Sequence, residues 1–385
     1  MSFRLHGSCK HRWISLRDLF CASTLVAVNR LRGQPVNSAW RWDFEAANLF
    51  SRMQMARSMS MPSVSEARQL VDSIEFKSLL PHSVHVEKSD LPDLPGYWLH
   101  PENALPNRAV MYLHGGGYAF FARAHSGMIG HVACAASAQT FSLDYRLTPE
   151  HPYPAQLEDA YEAYRALLAK GVDACRLIVA GDSAGGHLVL CLLNRLSQRG
   201  EPMPALGLCL CPWTEIGPAT ERLFENDSYD WVQGSETLQF ARWLQGGRSV
   251  SLQDISPMNF PFRGFPPLYL QAGGREVLYD MILRFAHCVA ASHAEIALDV
   301  WEEMTHDFQA YGSILPESRQ ALARISEVVG HYLDESSVRP LPASKYTVVQ
   351  GHRNAEGTPP CPEPRQEPTN RLASTSISNR LLQLH

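Results

Sequence analysis

The stretch that decides the fold is Leu177-Ile178-Val179-Ala180-Gly181-Asp182-Ser183-Ala184-Gly185-Gly186-His187-Leu188. An apolar run reads as a buried strand, stops at a glycine-rich turn, and gives way to a helical pattern from His187 to about Leu196. Strand, glycine-flanked serine and helix form a nucleophile elbow. In so tight a turn, side chains two residues before and after the serine collide, and Gly181 and Gly185 remove that collision. Ser183 Oγ then stands clear at the carboxyl end of a strand. The first N–H groups of the helix, and its dipole, point at the same spot. Because G-x-S-x-G also occurs in plain Gly/Ser turns, the rest of the chain has to supply the partners that a serine needs.

The bulk composition narrows the class. The chain has 385 residues, 45% hydrophobic and 19% charged, with a net charge of −5. That is enough to bury a large core, and no long basic run marks a nucleic-acid partner. Nine cysteines are scattered, odd in number and without a C-x-x-C. This reads as a reduced, cytoplasmic protein rather than a disulfide scaffold or metal site. Leu19 to Val28 superficially resembles a signal-peptide core, but Asp18, Arg30 and Arg32 border it and it is too short to span a bilayer. No integral membrane segment is expected.

Working outward, residues 1–80 read as a helical cap, with apolar residues at three- and four-residue spacing over Ile14 to Leu31 and Trp40 to Met59. A capping box, Ser63 with Glu66, opens a helix expected to reach about Leu80. From Ser83 the period changes to that of strands. Ser83 to Val86, Gly96 to Leu99, Ala109 to Leu113, Gln139 to Leu143, Leu206 to Cys211, Pro267 to Ala272 and Ile296 to Trp301 join the elbow strand. Helices are expected over about Ala155 to Ala169, Leu278 to Ser292 and Pro316 to Leu333. The alternation predicts an α/β fold with a mostly parallel central sheet covered by helices on both faces, over residues 81–335. A polar, irregular stretch at about 214–261 reads as an insertion that covers the site. Residues 336–385 turn rich in Pro, Ser, Arg, Asn and Thr and read as a disordered tail.

A serine hydroxyl becomes a nucleophile when a neutral imidazole takes its proton and a carboxylate fixes that imidazole's tautomer. His306 stands in a loop after a strand and before the last helix, in the order Ser, acid, His that this elbow requires. The acid is expected in the loop Gly273-Gly274-Arg275-Glu276-Val277-Leu278-Tyr279-Asp280. Glu276 comes first, and Asp280 is its competitor, whose other reading is first-turn helix stabilisation. His114-Gly115-Gly116-Gly117 follows a strand and frees backbone N–H groups. Gly115 and Gly116, with Ala184, are the expected oxyanion donors. Tyr118, Tyr145 and Trp213 are expected to touch substrate.

Together, H-G-G-G-Y (114–118), D-Y-R-L-T-P-E-H-P-Y-P-A (144–155), G-D-S-A-G-G (181–186) and the His306 loop resemble the hormone-sensitive-lipase-like branch of the α/β-hydrolases over about 84–333. Within it the chain resembles bacterial carboxylesterases and monoterpene ε-lactone hydrolases. The resemblance implies an α/β-hydrolase fold, a Ser–acid–His triad, no cofactor or metal, and a helical N-terminal cap. One subgroup carries Glu as the acid in E-V-L-L-D, and E-V-L-Y-D at 276–280 matches it, while Arg275 departs from the common pattern. The expected partner is a small-molecule ester or lactone, with a homodimer possible and amide cleavage an alternative. A ligand-binding protein on a dead scaffold is the other class, as in plant gibberellin receptors that lack the histidine. His306 is present here.

Overall fold

The computed structural model describes residues 3–76, 80–89, 94–121, 125–217, 221–247, 250–334 and 341–352. The amino-terminal part runs β1 (Phe3–Leu5), α1 (Cys9–Leu31), α2 (Trp42–Met59), α3 (Val64–Val71) and β2 (Ile74–Phe76), with β1 and β2 antiparallel. Ser63 caps α3 by accepting the Glu66 N–H at 3.2 Å, as its sequence predicts. The helix stops at Val71 rather than near Leu80, because Ile74 to Phe76 pair with β1 instead of adding another turn. The seam between α1 and α2 mixes apolar side chains, Ala22 and Phe50 among them, with polar ones. Ser15 donates to Gln54, and the Asp18 carboxylate accepts from both Gln54 and Arg57. Asp18 is fully buried there, and its pairing with Arg57 offsets the cost of removing its charge from water.

The core then runs β3 (Val84–Lys88), β4 (Gly96–Pro101), β5 (Ala109–Leu113), α4 (His125–Ala136), β6 (Gln139–Leu143), α5 (Ala155–Ala169), β7 (Leu177–Asp182), α6 (Ser183–Arg199) and β8 (Leu206–Leu210). An insertion carries α7 (Gly234–Gln245) and α8 (Leu252–Ile255). After it come β9 (Leu268–Gly273), α9 (Tyr279–Ala291), β10 (Ile296–Trp301), α10 (Pro316–Leu333) and β11 (Thr347–Gly351). The nine strands lie in the order β11-β10-β9-β8-β7-β5-β6-β4-β3. The pairs from β6 through β10 are parallel, and the two ends of the sheet are antiparallel. Every residue of β7, β8, β9 and β10 is buried, which explains why these strands read as continuous apolar runs rather than alternating ones. Separate apolar cores fill the two sheet faces, one under α5, α6 and α9 and the other under α4 and α10. In such a sheet the strands' carboxyl ends meet at one rim, where ligands bind.

Two expectations need correction. The tail is not structureless throughout: Thr347–Gly351 adds antiparallel to β10, Leu298 facing Val349, and Leu341 and Val349 are buried. A short Tyr346-Thr347-Val348-Val349 run suffices there because β10 already offers a pairing edge. Residues 353–385 lie outside the described part. The thiols are also not all free: seven described cysteines are, but Cys288 is disulfide-bonded.

Candidate active site

Ser183 occupies the apex of the elbow with φ at 52°, a conformation that a non-glycine residue keeps only when its surroundings enforce it. The enforcement is close packing on β5. A Cβ on Gly185 would lie 1.9 Å from the Leu113 carbonyl oxygen, and one on Gly181 would lie 2.6 Å from the same atom. The serine begins the 17-residue α6, so its hydroxyl sits at the positive end of a long helix.

The other two groups reach it from the ends of β9 and β10. His306 Nε2 lies 2.8 Å from Ser183 Oγ, and His306 Nδ1 lies 2.7 Å from Glu276 Oε2. The second Glu276 oxygen accepts the Gly273 N–H at 3.0 Å, so the carboxylate is held at both ends. Asp280 points elsewhere, into ion pairs with Arg222 and Arg284, and makes no side-chain cap of α9. Arg275 pairs with Glu303 and lies over the Tyr229 ring, leaving the Glu276 carboxylate to the histidine.

A buried carboxylate that the sequence reading missed ties this arrangement together. Asp230, in the insertion, accepts the backbone N–H of His306 at 3.1 Å and that of Val277 at 2.8 Å. The next residue, Trp231, donates its indole N–H to the His306 carbonyl at 2.8 Å. An aspartate in an irregular polar stretch gives no periodic signal, which is why it went unnoticed. The cap grips the same loop: Asn48 accepts from the Thr305 hydroxyl, and the Trp40 indole donates to the Glu303 carbonyl.

The glycine loop departs from its expected use. The Gly115 N–H donates to both carboxylate oxygens of Asp182 at 3.1 Å, so it is already committed. Gly116 and Gly117 line the cavity at φ of 90° and 61°, and among the described residues neither N–H has a protein acceptor. Ala184, at the first turn of α6, has no intrahelical acceptor. Tyr118 and Tyr145, expected at the substrate, instead lie beneath the loop. The Tyr118 hydroxyl meets His187 Nδ1 at 2.6 Å, and the Tyr145 hydroxyl donates to the His114 carbonyl at 2.5 Å. Tyr145 also stacks on the buried His114 ring with centroids 4.1 Å apart. Their work is to shape the loop. Arg68 of α3 completes the clamp, donating to the carbonyls of Ala119 and Thr148 and pairing with Glu150. Trp213 does line the cavity, its backbone N–H donating to the Ser183 carbonyl at 3.0 Å.

That cavity measures about 550 Å³ and its lining is mostly apolar. Ser183, His306, Gly116 and Gly117 line it, together with Phe50, Met55, Ile74 and Phe76 of the amino-terminal part. Burial works to lower the His306 pKa, but the carboxylates of Asp307, Glu276 and Asp230 outweigh it and raise the imidazole above its ordinary value. Asp307 Oδ2 lies 3.4 Å from His306 Nε2. Asp230 itself is pushed up to about 7, chiefly by burial against the opposing pull of His306. Cys211, Glu276 and His306 cluster closely enough to suggest cation ligands. The glutamate and histidine already bond to each other, however, and burial holds the Cys211 thiol protonated, so the donor set does not suit a metal.

Comparison with known proteins identifies the fold. A family model described as the alpha/beta hydrolase fold matches residues 110–310. An acetyl-hydrolase of Streptomyces hygroscopicus is 33% identical over 244 residues, 61% of this chain and 78% of that protein. An esterase of Acinetobacter venetianus is 31% identical over 229 residues, 58% of this chain and 75% of that one. A crystal structure of an esterase from the bacterial hormone-sensitive lipase family superposes with a TM-score of 0.67 at 34% identity, covering 74% of this chain and 97% of that one. With a matched fold and an elbow serine in reach of a histidine, the chain belongs to the α/β-hydrolases, as a serine hydrolase of their hormone-sensitive-lipase-like esterase branch.

Proposed function

We propose that this chain hydrolyses carboxylic esters of apolar acyl groups through a Ser183–His306–Glu276 triad. The observation that carries the reading is the unbroken line of hydrogen bonds from Ser183 Oγ through both ring nitrogens of His306 to Glu276. Ser183 Oγ attacks the ester carbonyl carbon while His306 Nε2 takes its proton. Glu276 accepts from Nδ1–H, which fixes the tautomer and steadies the imidazolium. The carbonyl oxygen becomes an oxyanion within reach of the N–H groups of Gly116, Gly117 and Ala184. Gly115, expected among these donors, is replaced by Gly117 in this reading, because Asp182 occupies its N–H. His306 then gives its proton to the leaving alkoxide. A water attacks the acyl-enzyme with the same imidazole as base, restoring Ser183 and releasing the acid.

The apolar wall of the cavity favours acyl groups longer than acetyl, since each methylene moved from water onto such a wall contributes about 0.8 kcal/mol. A series of p-nitrophenyl esters tests both points. kcat/KM is expected to climb from acetate to a medium chain and then fall, and Ser183→Ala is expected to abolish turnover. Turnover retained by the alanine variant would refute the reading.

A further inference from the structure

The helix α1 carries large apolar side chains on the side turned away from its packing partners. Its inward row is only partly apolar, with Ser15 and Asp18 buried against α2 alongside Ala22 and Val26. Its outer side carries Trp13, Phe20 and Leu31, which are 70%, 71% and 89% exposed. At about 100° per residue these three fall within about 20° of one line along the helix. Among the described residues, eleven large apolar side chains are well exposed, and seven of them lie within residues 3–42. Such a concentration exceeds the scattered exposure that a soluble surface normally tolerates.

Charge says what covers this face. Over residues 1–76 ten Lys or Arg stand against six acids; Asp18 is buried and paired with Arg17 and Arg57, and Lys10, Arg30 and Arg41 pair with Glu66, Glu45 and Asp43. That segment is therefore basic in a chain whose net charge is −5. Arg12 and Arg17 flank Trp13, and Lys10 is 65% exposed in its side chain. A second copy docking face to face would set these like charges against each other. A surface both apolar and anionic suits them. The same part of the chain also walls the cavity: Phe3 and Trp42, both exposed, line it, as does Leu19 of α1.

We infer that the Trp13–Phe20–Leu31 face of α1 docks on an anionic lipid surface, from which an acyl ester enters the cavity between Phe3 and Trp42. The aromatic rings seat at the headgroup boundary while the guanidinium groups remain among the phosphates. Delivery of the ester rests on the function proposed above, whereas docking does not.

The test is cosedimentation of the full chain with vesicles of phosphatidylglycerol and phosphatidylcholine, against vesicles of phosphatidylcholine alone. The wild type is expected to bind the anionic vesicles, to lose binding at high salt, and to bind the neutral ones weakly. Trp13→Ala combined with Phe20→Ala is expected to lower partitioning roughly tenfold or more, because both rings are solvent-exposed in the free protein and buried on docking. The same variant is expected to hydrolyse soluble p-nitrophenyl butyrate at the wild-type rate and an ester embedded in anionic vesicles more slowly. Wild-type protein that stays off anionic vesicles overturns the inference, as does equal binding by the double variant. A dimer in solution that the double variant dissolves also overturns it, since the face would then be a self-interface. If the wild type binds but hydrolyses neither ester, the catalytic reading fails and the docking surface stands.

Discussion

Asp230 Oδ1 lies 3.1 Å from the backbone nitrogen of His306, which makes a residue of the insertion a fixed support for the His306 loop. Its other oxygen holds Val277, the neighbour of Glu276, so one carboxylate sets the spacing between acid and base. Replacing Asp230 by Ala leaves two buried N–H groups without acceptors, at about 1–3 kcal/mol each. The expected result is a lower melting temperature and a kcat reduced about ten- to a hundredfold, with KM for a short ester little changed. A proportional rise in KM with kcat intact would show that Asp230 shapes binding instead.

The choice between the two candidate acids follows from their partners. Glu276→Gln is expected to lower kcat by a few powers of ten, because an amide holds the wrong tautomer of the imidazole. Asp280→Asn breaks only partly exposed ion pairs with Arg222 and Arg284, which are worth about 0–1 kcal/mol. Steady-state kinetics on both variants decides the matter, and a severe Asp280→Asn with a mild Glu276→Gln would reverse the assignment.

The pH profile follows from the charges around His306. Three carboxylates raise its pKa, and the protonated ring cannot accept the serine proton. Activity is therefore expected to be lost as pH falls through a pKa on the alkaline side of the ordinary 6.5, not at it. Asp307→Asn removes the carboxylate 3.4 Å from Nε2 and is expected to move this limb about one unit toward acid. A profile of kcat/KM against pH that does not move between wild type and variant would contradict the account.

Ending the chain at Asp334 removes β11 and uncovers the edge of β10. Two buried apolar side chains, Leu341 and Val349, are lost with it, at about 1.5–3 kcal/mol apiece. A melting temperature several degrees lower and a tendency to aggregate through the bare edge are expected. A chain ending at His352 keeps β11 and, like the shorter one, leaves Cys288 without its disulfide, so the difference between the two truncated chains reports on the strand. Calorimetry that finds all three lengths equally stable would show that β11 contributes nothing.

Much of this was legible in the residues, for physical reasons. Buried parallel strands announce themselves as unbroken apolar runs, and the elbow serine, Glu276 and His306 each follow such a run. What stayed hidden depends on tertiary pairing. β11 is a five-residue strand amid Pro-rich sequence, and only the waiting edge of β10 gives it a role. Likewise, no local pattern says that Asp182 will take the Gly115 N–H, or that Tyr118 and Tyr145 will turn their hydroxyls inward. Those outcomes are set by which loops meet at the rim of the sheet.

The separation of Ser183, Glu276 and His306 along the chain bears on the order of events in folding. Ser183 and His306 are 123 residues apart, and Glu276 precedes His306 by 30. They stand on β7, β9 and β10, with β8 in between, so their meeting requires three parallel pairings to be in register. Parallel pairings of distant segments form slowly, because loop-closure entropy must be overcome before contacts reward it. Esterase activity should thus return late during refolding, after helical circular dichroism and bulk collapse. That lag makes turnover a sensitive clock for completion of this half of the sheet.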